Sequence, residues 1–216
     1  MSSFLPLICL VISYLLGSIP TAVWVGKAYY KIDVREHGSG NAGATNAIRI
    51  LGWNAGLIVM VVDVSKAIAA TCLVYLIPWL NQNLPLLHNI QAILGLAAII
   101  GHIFPVFSGF RGGKGVATLF GAMLVISFPA TLISFCFFAG AIALTRFVSL
   151  GSILAGLMFP VSLILILKVH YPFVIIFSLL VPLIVVLTHR KNIIRLLRKE
   201  ERKFSFKKKA TQDTNV

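Results

Sequence analysis

Charged residues are scarce in this 216-residue chain, where they make up 12% of the total, about half the share of an ordinary soluble domain. Hydrophobic residues make up 58%, and a soluble globule of this size could not cover so much apolar surface. Cysteine is rare too. Cys9, Cys72 and Cys136 lie in apolar runs without a CxxC pair, which argues against a disulfide scaffold. We therefore predict an integral membrane protein.

Acidic residues are rarer still. Six of them stand against 19 lysines and arginines, which gives a net charge of +13. Ten of the basic residues follow Thr188, and most of the others lie in short gaps between apolar runs. Basic residues that flank membrane spans typically reflect topology and contact with anionic lipid. We therefore expect membrane lipid as a partner and no nucleic acid.

Several apolar runs approach the length of about 20 residues that a helix needs to cross a bilayer. The stretch 116–145 could form one long helix, or two helices broken at Ser127-Phe128-Pro129, because proline disfavours helix at the preceding residue. The clear candidates are residues 4–26, 55–80, 89–108, 149–168 and 171–188.

The distribution of basic residues decides between the two alternatives. Seven helices with an extracytoplasmic N-terminus place 17 lysines and arginines inside and only Lys168 outside. Six helices with the N-terminus inside would place seven basic residues outside. We therefore predict an all-α polytopic membrane protein with seven transmembrane helices. Residues 1–188 would form the transmembrane catalytic domain, and 189–216 a basic cytoplasmic tail that anchors at the membrane.

Three polar segments fall on the cytoplasmic side of this topology. The first, residues 37–49, has three glycines in six residues, which lets the backbone approach a ligand closely. Its arginine has a planar fork suited to phosphate. An ordinary surface loop is the alternative. Its candidate binding side chains are Ser39, Asn41, Thr45, Asn46 and Arg49.

The second segment contains Gly112-Gly113-Lys114-Gly115 directly before an apolar run. Backbone N–H groups at a helix N-terminus favour an anion, and Lys114 adds a full charge, so this segment predicts a phosphate cradle. The spacing of a Walker A motif is absent. The alternative is a tight loop that carries basic residues only for topology.

The third segment follows the last span, where His189 and Asn192 are three residues apart and share one face of a continuing helix. Within the second span, Asp63 and Lys66 have the same spacing, which predicts an ion pair that braces the site from below. His102 lies inside an apolar span, either as a hydrogen-bonded packing residue or in support of the site. No cluster has metal-ligand spacing.

These segments resemble the three motifs of the PlsY family, the bacterial acyl-phosphate:glycerol-3-phosphate acyltransferases. The resemblance rests on Ser-Gly-Asn-x-Gly-Ala-Thr-Asn at 39–46, Gly-His-x-Phe-Pro-x-Phe at 101–107 with Gly-Gly-Lys-Gly-Val-Ala-Thr at 112–118, and His-Arg-x-Asn-Ile-x-Arg-Leu at 189–196. It implies seven transmembrane helices in the bacterial inner membrane and a cytoplasmic active site. The implied reaction transfers an acyl chain from acyl phosphate to the 1-hydroxyl of glycerol 3-phosphate, the first acylation of phospholipid synthesis.

The resemblance also implies roles for individual residues, with no cofactor, no metal and no obligate protein partner. The tail departs from the family pattern, because Lys199 stands where the family often has glycine before a glutamate. The expected catalytic residues are Ser39, Arg49, Lys114, His189 and Asn192. Substrate binding is expected from Gly40, Asn41, Thr45, Asn46, Gly112, Gly113 and Gly115, with support from Asp63, Lys66 and His102.

Two other functions fit parts of the sequence. A transporter for a small organic phosphate would need polar groups near mid-membrane or on both sides, and the one-sided placement of the motifs opposes it. A hydrolase of lipid-linked phosphate would share the phosphate-binding residues but would need no glycerol phosphate as acceptor.

Overall fold

The computed structural model describes residues 4–204 of the chain. Within that range all regular secondary structure is helical, and there are no strands. Residues 205–216 of the predicted basic tail lie outside the described range. The helices are α1 (Leu5–Gly17), α2 (Thr21–Tyr30), α3 (Ala44–Leu51), α4 (Trp53–Cys72), α5 (Leu84–Ile103), α6 (Val116–Ile126), α7 (Phe128–Thr145), α8 (Val148–Val161), α9 (Pro172–Thr188) and α10 (Arg190–Leu197).

The apolar helices have the dimensions of a polytopic membrane protein. Four described spans are long and apolar enough to cross a bilayer, and two bent pairs bring the number to six if each pair forms one span. The bent pairs are α1 with α2 and α9 with α10, and α6 is a shorter apolar helix of 11 residues. The all-α membrane fold is thereby confirmed, and the count of seven stays a prediction.

The first predicted span, residues 4–26, is wrong as one continuous helix. The structure ends α1 at Gly17 and starts α2 at Thr21, with a bend of 42° between them. Pro20 precedes the second helix and cannot donate a backbone hydrogen bond to the first. Gly17 packs so closely that an added Cβ would lie 2.0 Å from the carbonyl oxygen of Ala98.

The stretch 116–145 forms two helices, as the proline-based alternative predicted. Ser127 has an extended backbone, with φ −157°, and separates α6 from α7. Pro129 lies in the first turn of α7, where its missing N–H costs no helical hydrogen bond. The break limits α6 to 11 residues, and the glycine-rich segment directly precedes its N-terminus at Val116.

Close helix contacts and one apolar cluster hold this arrangement together. Gly121 of α6 lies against α4, where an added Cβ would be 2.4 Å from the carbonyl oxygen of Val64. Buried side chains of α5, α6, α8 and α9, including Ile99, Leu119, Phe159 and Phe177, form the largest apolar cluster. This cluster lies behind the second and third polar segments, whereas the first segment packs in a separate apolar cluster that includes Ala22, Ala47 and Ala55.

Candidate active site

A cavity of about 770 Å³ brings the three polar segments together. All five predicted catalytic residues line it, as do Asp63 and His102. Of the predicted substrate-binding residues, Asn41, Thr45, Asn46 and Gly115 line the cavity, whereas Gly40, Gly112 and Gly113 do not. The cavity continues between the helices into an apolar part. That part is lined by Met60, Val61, Phe120, Phe135, Phe138 and Val181.

Glu201 is the centre of the hydrogen bonds at the polar end of the cavity. Its Oε1 accepts hydrogen bonds from Asn192 Nδ2 at 2.6 Å and from Ser149 Oγ at 2.8 Å. Its Oε2 accepts from Arg195 Nε at 2.8 Å. Asn192 in turn accepts a hydrogen bond from Lys114 Nζ through its Oδ1. One carboxylate thus links the second polar segment, the third segment and helix α8.

The turn after α10 delivers Glu201 to this position. Lys199 has a left-handed backbone, with φ +59°, and its N–H donates to Leu196 O at 3.1 Å. Glu200 N donates to Arg195 O at 2.8 Å, which completes a Schellman turn. Glycine fits such a turn more easily, yet the turn forms here with lysine.

The sequence reasoning missed Glu201 and Arg195 as site residues. Lys199 departs from the family's glycine at this position, and the turn forms with lysine there. The signal that could have identified Glu201 is the scarcity of acids, because only six occur in the chain and two of them, Glu200 and Glu201, come shortly after a basic helix.

Positive charge exceeds negative charge around the polar end. Burial lowers the pKa of Lys114 to about 8; Glu201 opposes the shift, and Arg195 and Arg49 add to it. Burial, followed by the charge of Arg202, lowers the pKa of Arg49. Neighbouring cations lower one another's pKa in this way, and a bound anion stabilises their charged forms. The polar end of the cavity therefore suits a phosphate group.

His189 follows α9 directly, and its hydrogen bond fixes which ring nitrogen is free. Nδ1 lies 2.9 Å from Val185 O, and because a carbonyl only accepts, Nδ1 carries the hydrogen. Burial, helped by the charge of Lys114, lowers the pKa of His189 to about 4. The imidazole is therefore neutral at pH 7, and its Nε2 can accept a hydrogen bond from a hydroxyl group.

Asn46 organises the loop of the first segment. Its Oδ1 accepts from Ser39 N at 2.9 Å, and its Nδ2 donates to Val34 O at 2.8 Å and to His37 O at 3.1 Å. Gly38 makes room for this amide, because an added Cβ would lie 2.4 Å from Asn46 Oδ1. The amide is committed to the loop, which favours a positioning role over the predicted contact with substrate.

A second contact ties the first segment to the loop before the glycine-rich segment. Arg35 donates from Nε and Nη2 to Asp33 and from Nη1 to Ser108 O at 2.8 Å. The hydrogen bonds from this guanidinium hold the pKa of Asp33 well below its usual range. The hydrogen bond from Arg35 to Ser108 O therefore joins the two loops, and the local ion pair with Asp33 holds the guanidinium in place for it.

The backbone of the glycine-rich segment differs from the predicted phosphate cradle. Gly112 N donates to Ile103 O and Gly113 N donates to His102 O, both at 3.2 Å. These two amides therefore bind the end of α5 and have no hydrogen left for an anion. The groups of this segment that line the cavity are Lys114, Gly115 and the first residues of α6.

The predicted ion pair in the second span is confirmed, with Lys66 Nζ 2.8 Å from Asp63 Oδ1. Thr21 Oγ1 donates to the same Asp63 oxygen at 3.0 Å. Lys66 Nζ also donates to Ile19 O at 2.7 Å and lies 3.0 Å from His102 Nδ1. The side chains of these residues are all buried, and we call them the Asp63 cluster: Thr21, Asp63, Lys66 and His102. Their hydrogen bonds connect the α1–α2 bend to the end of α5.

Comparison with known proteins agrees with this geometry. The chain matches the family described as glycerol-3-phosphate acyltransferase over residues 7–199. It is 40% identical to the glycerol-3-phosphate acyltransferase of Chlorobaculum tepidum, covering 97% of this chain and 100% of the relative. It is 45% identical to glycerol-3-phosphate acyltransferase 2 of Bacillus anthracis, covering 91% of this chain and 98% of the relative.

Solved structures show the same architecture. The crystal structure of PlsY, an integral membrane glycerol 3-phosphate acyltransferase, in its glycerol 3-phosphate form superposes with a TM-score of 0.81 at 34% identity. That comparison covers 93% of this chain and 96% of the other. The lysophosphatidic acid form gives a TM-score of 0.79 at 32% identity. With the helical architecture and the three polar segments, these matches show that the chain belongs to the glycerol-3-phosphate acyltransferase family of integral membrane proteins.

Proposed function

We propose that this protein transfers an acyl chain from acyl phosphate to the 1-hydroxyl of glycerol 3-phosphate, giving lysophosphatidic acid and phosphate. The observation that carries the proposal is the two-part cavity, in which a cationic end is continuous with an apolar end between the helices. An acyl phosphate has this division, with a charged head on an apolar chain. The glycerol 3-phosphate and lysophosphatidic acid forms of PlsY support the same acceptor and product.

The reaction needs alignment of the two substrates and no covalent enzyme intermediate. The hydroxyl oxygen attacks the carbonyl carbon of acyl phosphate, and the bond between that carbon and the phosphate oxygen breaks. His189 Nε2 accepts a hydrogen bond from the attacking hydroxyl. Because the pKa of His189 is about 4, the departing phosphate anion is the stronger base and takes the proton. No cofactor enters this scheme.

The predicted catalytic residues divide between the two substrates in this proposal. Lys114 and Arg49 neutralise phosphate charge, and Lys114 is held by Asn192. Ser39 lies in a loop fixed by Asn46 and donates a hydrogen bond from its hydroxyl to a substrate oxygen. Electrostatic stabilisation of the charge that develops on the departing phosphate is the main catalytic effect.

The orientation in the bacterial inner membrane follows from the distribution of basic residues. The 17 lysines and arginines that the predicted topology assigns to one side support a cytoplasmic cavity mouth and an N-terminus outside. Glycerol 3-phosphate would then enter from the cytoplasm, and the acyl chain would lie among helices that face lipid. Purified protein would act without an obligate protein partner.

Purified protein in detergent, incubated with acyl phosphate and glycerol 3-phosphate, tests the proposal. We expect lysophosphatidic acid and phosphate in equal amounts, and no product when acyl-CoA replaces acyl phosphate. Product formed from acyl-CoA alone would overturn the choice of donor. Phosphate release without added acceptor would instead indicate a hydrolase, and uptake of glycerol 3-phosphate into vesicles without acylation would indicate a transporter.

A further inference from the structure

The backbone amides of Gly112 and Gly113 in the second segment are already hydrogen-bonded within the protein, so a phosphate in the cavity needs other donors. Gly112 N and Gly113 N both donate to carbonyl groups at the end of α5. The close approach permitted by Gly113 brings its backbone against a side chain. An added Cβ at Gly113 would lie 2.3 Å from Nε2 of His102. The absence of a side chain at Gly113 therefore leaves room for the imidazole ring of His102, which lines the cavity.

The Asp63 cluster determines which nitrogen of His102 carries a hydrogen. Lys66 Nζ lies within hydrogen-bonding distance of Ile19 O, Asp63 Oδ1 and His102 Nδ1, at 2.7, 2.8 and 3.0 Å. An ammonium group has three hydrogens and no lone pair, so these contacts use its whole capacity. His102 Nδ1 must accept, and the hydrogen of the neutral ring is then on Nε2.

The charge distribution supports this assignment. An amine is a stronger base than an imidazole, so the shared proton belongs to Lys66. Asp63 is also closer to Lys66, at 2.8 Å, than to His102 Nδ1, at 3.7 Å. One anion and one cation thus balance each other in the buried cluster and leave His102 neutral.

We propose that His102 is a phosphate-binding residue, whose Nε2–H, oriented by Lys66, donates a hydrogen bond to a phosphate oxygen in the cavity. His102 lines the cavity together with Lys114 and the start of α6. A neutral donor beside Lys114 adds a directed hydrogen bond without a further buried charge. Both substrates carry phosphate, and the shared chemistry is a phosphate monoester or acyl phosphate oxygen.

This inference rests on the acyl transfer proposed above, and a pair of substitutions separates the two. In His102→Asn, Oδ1 can replace Nδ1 as the acceptor for Lys66, but no group reaches the position of Nε2. In His102→Gln, the longer side chain places an amide donor near the position of Nε2. His88→Asn, at the other end of the same helix, serves as the matched control.

We expect His102→Asn to raise the KM for one phosphate substrate about tenfold, the loss of one hydrogen bond to a charged group, with kcat within about threefold. His102→Gln should restore most of the affinity, and His88→Asn should leave both constants unchanged. Measuring KM for glycerol 3-phosphate and acyl phosphate in turn identifies which substrate His102 holds. Unchanged KM values in His102→Asn, or equal increases in the asparagine and glutamine variants, would overturn the inference while leaving the proposed function intact.

Nitrogen NMR of 15N-histidine-labelled wild-type protein gives a readout that does not depend on turnover. The assigned His102 signals should show an unprotonated Nδ1 and a protonated Nε2, and inorganic phosphate should shift the Nε2 signal. A hydrogen on Nδ1, or an Nε2 signal that ignores saturating phosphate, would contradict the proposal even if the protein were inactive with acyl phosphate.

Discussion

Lys114 Nζ donates a hydrogen bond to Asn192 Oδ1 across 78 positions of sequence, and this contact joins the second polar segment to the third. Lys114 comes from the loop before α6, and Asn192 from the first turn of α10. Asn192 is in turn bound to Glu201, so the ammonium group is aimed by a chain of hydrogen bonds and does not rely on its flexible stem. Held in this way, the lysine needs little reorganisation when a phosphate arrives.

Lys114→Ala should reduce kcat/KM at least about tenfold, because a hydrogen bond to a charged group contributes about 1.5–3 kcal/mol. The fold should survive, since the residue lies in a loop between helices. Steady-state kinetics and thermal denaturation in detergent measure the two effects. Arg111→Ala, an exposed cation in the same loop, is the control and should stay within about twofold of wild type. Near-normal turnover in Lys114→Ala would remove this lysine from the site.

The rate should fall as pH rises through about 8, because burial lowers the pKa of Lys114 to about 8 and only the ammonium form carries charge. Below that pH the cation is present, and above it the phosphate loses its partner. A profile of kcat/KM against pH measures the midpoint. In Lys114→Arg the guanidinium stays charged, so we expect lower activity with a flat alkaline limb. An alkaline limb unchanged in the arginine variant would assign the titration to another group.

Glu201→Gln should lower both thermal stability and activity. The substitution removes the charge that pairs with Arg195 and leaves amide contacts to Asn192 and Ser149. We expect a loss of about 1–2 kcal/mol in the free energy of unfolding, because Arg195 is 37% exposed and water screens its charge. The adjacent Glu200→Gln is the matched control, since Glu200 is exposed. Equal stability of the two variants would show that Glu201 does not hold the tail turn.

Ser39 should remain unmodified when the protein is incubated with acyl phosphate alone. The donor substrate, acyl phosphate, is already activated, so forming an acyl-enzyme intermediate would accelerate the reaction little. Its backbone is fixed by Asn46, and transfer requires both substrates to be bound together, which gives sequential kinetics. Intact-mass measurement checks for an added acyl group. An acyl group on Ser39 that added glycerol 3-phosphate releases would establish a covalent route.

The N-terminus should be extracytoplasmic and Val216 cytoplasmic. Paired reporters, one active only outside and one only inside, fused at each end measure this directly. The expectation rests on the 17 basic residues assigned to one side against one on the other. Both ends on the same side would exclude seven crossings.

The membrane fold could be predicted from composition, and the motifs identified all five expected catalytic residues that line the cavity, whereas its apolar lining was not predicted. The break before Pro129 follows from the chemistry of one residue. The bend after Gly17 was missed although Pro20 marks it in the sequence, whereas the close packing of Gly17 against Ala98 of α5 has no signal in the sequence. Hydropathy along the sequence measures apolar character, but it does not show which helix packs against a given residue.

The hydrogen bonds within the site could not be predicted for the same reason. Glycine at 112 and 113 indicated free amides for an anion, but both amides bind the end of α5. The hydrogen bonds that Asn46 makes within its own loop could not be predicted either. Residue type shows what a group can donate or accept, and only the packed chain determines which partner it meets.

The Asp63–Lys66 pair has a consequence for how the protein enters the membrane. A lone charge at the centre of a helix costs about 2.5–3.5 kcal/mol during insertion by the translocon. Here both charges lie on α4, three residues apart, and so neutralise each other within a single helix. Their other early partners, Ile19 O and Thr21, precede α4 in the chain and are already synthesised. During translation, α4 can therefore enter the bilayer as a neutral segment before α5 and His102 have joined it there.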